Sequence, residues 1–235
     1  PLIIDGVASL GKEDPINFIP YATALTFSAH KIHGPPGISV AICKKPYKLT
    51  PLIFGGNQED SIRPGTENLP AILGFAKCIE ILEKKQNLMI KHMEDLRDSF
   101  EKLLLQTIPS AKINGNNIRI CNVSNIYFNG CDGESLLINL DQKGVIASLG
   151  SACSSGALSA SHVLLNMGFP KERALSSLRF SFSKFNTHNE INQAVQYIQQ
   201  VQNQNEQYKQ RLATLDKGYM SEYEGRITTQ EAQAK

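Results

Sequence analysis

The sequence lacks a strong net charge, paired cysteines and a long apolar run. Its 24 basic and 22 acidic residues leave a net charge of +2, so neither nucleic acid nor a membrane surface is expected as a partner. The five cysteines form no CxxC pair, which argues against a zinc site and against a disulfide framework. No apolar run approaches the length of a membrane span, and a cytoplasmic location is expected.

The chain has enough residues for a sizeable core. At 235 residues it can form one large domain or two smaller ones. Three short segments rich in apolar residues are expected to be strands buried on both faces, namely residues 1–5, 23–28 and 37–43. Apolar residues at spacings of three and four predict two helices, at 68–84 and 89–103. These patterns indicate an α/β fold.

The remainder of the chain alternates strand and helix patterns. The predicted elements are a strand at 122–128, a helix at 133–144, a strand at 178–182 and an amphipathic helix at 191–201. The segment after about residue 205 is polar, which is typical of an exposed helix or a disordered tail. We expect a first domain over 1–82, a second over 83–210 and a polar tail over 211–235.

The segment Thr26–Gly37, TFSAHKIHGPPG, places a lysine just where an apolar strand ends. Lys31 follows small polar residues and precedes a turn of two prolines between Gly34 and Gly37. A pocket at the end of a buried strand favours the neutral amine, which can form an imine with an aldehyde cofactor. A lone lysine is more often a surface charge, so other residues must decide between the two interpretations.

An aspartate ends the first predicted strand, in PLIIDG at residues 1–6. A carboxylate there suits a protonated ring nitrogen such as that of pyridoxal 5′-phosphate (PLP). Asp5 lies 26 positions before Lys31. Together with SAHK and its GPxG turn, Asp5 resembles the PLP-lysine region of class V, fold-type I enzymes, and among them the NifS/IscS-type cysteine desulfurases. The resemblance implies the C-terminal part of a PLP-transferase type I fold, with a mostly parallel sheet, followed by a smaller α/β domain.

The resemblance assigns three further cofactor contacts. Ser28 would hold phosphate oxygens of PLP, and His30 would lie near the same group. The loop at residues 53–70 resembles the family's GGxQExxxRxGT motif. Its Thr66 would reach the cofactor phosphate of a partner subunit, which implies a homodimer with shared active sites.

Three positions depart from the family pattern. Ala8 stands where members usually carry a glutamine that bonds to the phenolic oxygen of PLP. Loss of that donor is expected to loosen cofactor binding or to alter the acidity of the imine. Phe54 and Asn57 are smaller departures, at positions where histidine and glycine are common.

A cysteine lies in a stretch with almost no large side chains. Eleven of the fourteen residues in SLGSACSSGALSAS, at 148–161, are Ser, Gly or Ala, so Cys153 is expected to be exposed. On composition alone, an incidental thiol in a flexible linker is the slightly favoured interpretation. The stretch resembles the GSAC(T/S)S signature of group I desulfurases. The resemblance makes Cys153 the nucleophile and persulfide carrier, which could also ligate an iron–sulfur cluster transiently.

Arg179 lies inside an apolar strand pattern, LRFSF, at residues 178–182. Its charge cannot be removed by deprotonation, so it needs an anionic partner. That partner is either a structural Asp or Glu, or a substrate carboxylate gripped by both arms of the guanidinium. The similarity to the family's SSxRxS motif favours the substrate carboxylate.

The resemblance implies conversion of L-cysteine to L-alanine and a persulfide on Cys153. The sulfur would pass to an acceptor such as an iron–sulfur scaffold or a tRNA-thiolation protein. The alternatives are another class V enzyme, an aminotransferase or a selenocysteine lyase, or an inactive fragment that binds a partner. The resemblance covers only the C-terminal portion of a full-length member, so we expect a fragment or one piece of a split enzyme. Activity would then require a separate N-terminal half.

Overall fold

The structure is a computed structural model that describes residues 1–14, 17–115, 118–150 and 160–233. The chain divides into two compact units. The first comprises Pro1–Arg97, Ile118–Asn122 and Phe182–Phe185, and the second comprises Asp98–Asn117, Val123–Ser181 and Asn186–Lys235. The domain boundaries predicted at residues 82 and 210 stay predictions.

The first unit contains a sheet of three strands, in the order β1–β2–β3. The strands are β1 (Ile3–Asp5), β2 (Ala24–Ser28) and β3 (Ser39–Cys43). β1 and β2 are parallel, with Asp5 opposite Thr26, whereas β2 and β3 are antiparallel. Because parallel strands end at the same edge of a sheet, Asp5 lies at the edge from which the segment carrying Lys31 leaves β2.

The prediction that all three strands are buried on both faces is wrong. In β2, Leu25 and Phe27 are buried, but β1 and β3 are largely exposed, with Ile3 at 72% and Ile42 at 47% accessibility. The apolar composition of a strand permits its burial. Burial occurs only where other parts of the protein pack over the strand. The core of this unit is formed by Leu10, Ala22, Leu25, Phe27, Ala29, Ile32, Phe75 and Leu82.

One helix, α1 (Leu69–Thr107), replaces the two helices predicted from the sequence. The residues between the two predicted helices, KQNL at 85–88, include neither Gly nor Pro, so nothing stops the helix from propagating. Near its start, α1 contacts the turn that follows Lys31. A Cβ atom added at Gly74 would lie 2.6 Å from Pro35 Cγ, so the absence of a side chain permits this close approach.

The second unit contains an antiparallel sheet in the order β4–β5–β7–β6. The strands are β4 (Ala111–Ile113), β5 (Val123–Phe128), β6 (Ser148–Leu149) and β7 (Ser177–Ser181). Its described helices beyond α1 are α2 (Gly133–Gln142), α3 (His162–Asn166), α4 (Lys171–Leu175) and α5 (His188–Gln233). The most deeply buried side chains include Phe100, Phe128, Leu136, Leu140, Leu178 and Ile198.

The last helix, α5, includes the polar C-terminal segment. Ile191, Val195 and Val201 are buried, as the amphipathic spacing predicts. Farther along, Tyr208 and Leu212 are exposed. Because α5 continues to Gln233, the described part of the tail is helical. Within the described chain, no helix combines the length and apolar character needed to cross a membrane.

Candidate active site

Lys31 lies on a 3₁₀-helix, Ala29–Ile32, that begins immediately after β2. Ala29 and Ile32 are buried, whereas His30 and Lys31 are exposed. His33 ends this helix in a left-handed conformation, with φ of 66°. The apolar pair therefore anchors the turn in the core and leaves the two polar side chains accessible to a ligand.

Asp5 is exposed at the end of β1, where its carboxylate accepts hydrogen bonds from two uncharged groups. Its Oδ1 atom accepts hydrogen bonds from the Val7 N–H at 3.0 Å and from the Thr26 hydroxyl at 3.5 Å. Within the described ranges, no donor contacts the second oxygen, Oδ2. That oxygen can therefore accept a hydrogen bond from a protonated ring nitrogen, which fits the role predicted for Asp5.

Ser28 is the last residue of β2, and its hydroxyl is paired with another hydroxyl. The Ser28 and Ser39 Oγ atoms are 2.6 Å apart, and either can donate. One hydrogen bond between two hydroxyls uses one of their two protons, so the other proton can be donated to an anion. Ser28 is 9% exposed, whereas the neighbouring His30 is exposed. These two residues fit a phosphate group at this edge of the sheet.

Lys12 contacts the Lys31 turn and was missed by sequence reasoning. Its Nζ atom donates a hydrogen bond of 3.1 Å to the main-chain oxygen of Lys31. Partial burial lowers the pKa of Lys12 below its ordinary value; Cys121 opposes this shift, and the charge of Lys31 adds to it. No local motif marks Lys12, because the contact joins residues 19 positions apart.

Two other predicted features of the first unit lie in exposed segments. Thr66 is in the loop that precedes α1, and its contact with a partner subunit stays a prediction. Ala8 is in the turn after β1 and is exposed; its methyl group offers no hydrogen-bond donor. Among the residues that the structure describes, no group of three or more His, Cys, Asp or Glu side chains could hold a metal ion.

Arg179 belongs to the second unit, where β7 pairs it with Asn125 of β5 and Ser148 of β6. It is half-buried, and no carboxylate of the described chain forms an ion pair with it. A structural Asp or Glu partner is therefore absent from this part of the protein. Cys153 lies outside the described residues, so its role stays a prediction.

Comparison with known proteins places this chain in a family. Residues 2–194 match the family model described as aminotransferase class-V. The chain belongs to this family. It is 38% identical over 200 residues to a cysteine desulfurase of Nostoc sp., which covers 84% of this chain and 50% of the relative. A cysteine desulfurase IscS of Dictyoglomus turgidum is also 38% identical, over 75% of this chain and 45% of that protein.

Solved structures of similar proteins support the same family assignment. A NifS-like protein from Rickettsia africae has a TM-score of 0.75 at 30% identity, covering 86% of this chain and 53% of that structure. DndA from Streptomyces lividans has a TM-score of 0.61 at 31% identity, covering 77% and 52% of the two chains. The predicted family and the α/β PLP-transferase fold are confirmed. The chain spans about half the length of the curated relatives that it matches.

Proposed function

We propose that this chain is part of a PLP-dependent cysteine desulfurase, which converts L-cysteine to L-alanine and a cysteine persulfide. The placement of Asp5 and the Lys31 turn at one edge of the parallel β1–β2 pair carries the proposal. Ligands of α/β sheets bind beyond the carboxyl ends of the strands. The curated relatives at 38% identity are named cysteine desulfurases. The persulfide sulfur would pass to an iron–sulfur scaffold or a tRNA-thiolation protein.

The residues at the sheet edge would hold PLP by three of its groups. The Lys31 amine would bind its aldehyde, Asp5 Oδ2 its protonated ring nitrogen, and Ser28 with His30 its phosphate. When bound, PLP supplies an electron sink for the substrate carbons. Ala8 offers no donor to the phenolic oxygen, so we expect weaker cofactor binding than with a glutamine at this position.

Two side chains outside this edge would act on the substrate. Arg179 would bind the carboxylate of L-cysteine through two N–H donors. The Cys153 thiolate would form a bond to the substrate sulfur while the carbon–sulfur bond breaks. The electron pair stays with the carbon, which takes up a proton, and the sulfur remains on Cys153 as a persulfide.

Exposed apolar side chains support a larger assembly. Leu52, Ile53 and Phe54 are consecutive and are 94%, 66% and 84% exposed. Clusters of this kind mark protein interfaces. We propose that their loop packs against a second copy, so that Thr66 reaches the partner's phosphate. A separate N-terminal half would cover the exposed strand β1.

The proposed assembly keeps the domain organisation expected from the sequence. Residues 1–82 would complete the PLP-binding domain, 83–210 would form the small domain, and 211–235 would form a polar tail. A cytoplasmic location belongs to the same proposal.

Trapping of the cofactor lysine tests this function. The chain is incubated with PLP, alone and with the N-terminal segment of a NifS-like relative, then reduced with borohydride, digested and mapped by mass spectrometry. We expect a pyridoxyl adduct confined to Lys31 and absent from the Lys31→Arg variant. Adducts spread over surface lysines, or none with both pieces present, would contradict the proposal.

A second assay separates desulfuration from other class V reactions. With both pieces present, alanine and persulfide formation from L-cysteine is expected to be lost in the Cys153→Ser variant. An aminotransferase would keep its activity after this substitution. A selenocysteine lyase would be identified by a higher rate on selenocysteine than on cysteine.

A further inference from the structure

A cavity of about 30 Å³ lies beside the Lys31 turn, within the first unit. Leucine and methionine side chains form part of its lining. The lining also includes Lys12, Lys31, His33 and Lys184, and we call this space the lysine cavity. Among its described lining residues, none is Asp or Glu. Three lysines therefore line a small space whose described lining includes no acidic side chain.

We infer that the lysine cavity binds a small monovalent anion, of the size of chloride or formate. Like charges close together repel one another, and the repulsion increases as the surroundings become less polar. An anion among the ammonium groups would replace this repulsion by attraction. The cavity leaves room for only a few water-sized spheres, so a compact anion fits it better than a bulky organic one.

The charges that act on the cavity agree with this inference. The pKa of His33 is lowered by partial burial, and further by the nearby charges of Lys184 and Lys12. The pKa of Lys12 is lowered by burial and by Lys31, with Cys121 acting in the opposite direction. Among the described residues, no carboxylate is among the groups that shift the pKa values of these two side chains. The neighbouring lysine charges therefore favour an anion at this place.

Three side chains of the cavity lining are also held in place before any ligand arrives. Lys12 Nζ is fixed by its 3.1 Å hydrogen bond to the Lys31 main-chain oxygen. The His33 ring packs edge-on against Phe185, with 4.9 Å between the ring centroids. Lys184 Nζ lies 5.0 Å from the centroid of the same Phe185 ring. Groups that are already ordered lose less conformational entropy on binding.

Titration with simple anions, followed by NMR, tests the inference on the full chain. The His33 imidazole and the lysine ε-methylene resonances are recorded while chloride or formate replaces gluconate at constant ionic strength. We expect saturable shifts confined to the cavity residues, together with a higher pKa of His33. Lys184→Gln should weaken the apparent affinity about fivefold, the effect of losing one partly exposed charge pair.

Matched variants make the result decisive. Lys91→Gln removes an exposed lysine of the same unit and should leave the titration unchanged. The NMR spectrum of the Lys184→Gln variant also shows whether it is folded, because the resonances of the remaining cavity residues report whether the cavity is intact. Shifts that do not saturate, or that are equal in the Lys91→Gln and Lys184→Gln variants, would overturn the inference. The assay needs no PLP, so its outcome is independent of the proposed desulfurase activity.

Discussion

Lys12 Nζ donates a hydrogen bond to the main-chain oxygen of Lys31 across 3.1 Å. The turn that carries Lys31 is also closed by a hydrogen bond of 2.8 Å from the Gly34 N–H to the Ala29 oxygen. Beyond it, Pro35 approaches Gly74 of α1. The position of Lys31 therefore depends on contacts from distant parts of the first unit, and substitutions at those contacts should alter the turn.

Lys12→Met is expected to loosen the Lys31 turn. Loss of one hydrogen bond costs about 1 kcal/mol, which corresponds to roughly fivefold faster local opening. Amide hydrogen exchange at His33 and Gly34 measures this opening. Lys44→Met removes a comparable hydrogen bond, from Lys44 Nζ to the Pro20 oxygen at 2.6 Å, and should not affect these amides. Equal acceleration in both variants would indicate a general loss of stability instead.

Gly74→Ala is expected to destabilise the first unit. A methyl group normally favours a helix by about 1 kcal/mol over glycine. Here it would lie 2.6 Å from Pro35 Cγ, an atom of a rigid ring, and overpacking of this kind costs about 1–3 kcal/mol. The clash should therefore outweigh the helical gain. Urea unfolding measures the change. Combining Pro35→Ala with Gly74→Ala should restore stability, because it removes the ring that the methyl group meets. A double variant no more stable than Gly74→Ala would exclude the clash.

His33→Asn is expected to reduce the loss of stability in mild acid. The pKa of His33 is lowered from 6.5 in the folded chain, so the unfolded chain takes up a proton first. The contribution of neutral His33 to the free energy of unfolding is therefore fully present above pH 6.5. It is lost as the pH falls from there through the lowered pKa of the folded chain. Asparagine tolerates the left-handed conformation of His33.

Urea midpoints at pH values on either side of about 6.5, the ordinary histidine pKa, measure the effect of His33→Asn. His188→Asn, at the exposed start of α5, is the control and should keep the wild-type pH dependence. A His33→Asn variant with an unchanged pH dependence would show that His33 does not contribute.

Asp132→Ala is expected to destabilise the second unit by about 1 kcal/mol at neutral pH, because it removes an N-cap. Asp132 Oδ2 accepts a hydrogen bond of 2.8 Å from the Ser135 N–H at the start of α2. Hydrogen bonding by Ser135 lowers the pKa of Asp132 from 3.8. This contribution is therefore present above pH 3.8 and is lost as the pH falls through the lowered folded value.

Thermal unfolding across this acidic range measures the contribution of the Asp132 cap. Asp132→Asn keeps the accepting oxygen and removes the titratable group, so it should retain most of the neutral-pH stability. Asp132→Asn should also lose the part of the acid dependence of stability that comes from the titration of Asp132. A loss of stability in Asp132→Asn as large as in Asp132→Ala would contradict the capping role.

Local patterns made part of this protein predictable. The strand predicted at 122–128 is confirmed as β5, in which every second side chain from Ser124 to Phe128 is buried. The amphipathic start of α5 is also confirmed, with Val195 and Ile198 buried. The Lys31 motif identified the family because it is short, contiguous and chemically specific. For β5 and α5 the information lies in neighbouring residues, whose periodicity follows directly from backbone geometry.

The continuity of α1 could also be read from the sequence, because residues 85–88 hold no helix breaker although the apolar pattern has a gap there. The tertiary structure alone decided two other features. β1 and β3 are exposed because burial depends on which layers cover a strand and not on its composition. The lysine cavity joins Lys12 and Lys184 to the Lys31 turn through the path of the chain in space. Such contacts between residues distant in sequence have no local period, so the sequence alone could not predict them.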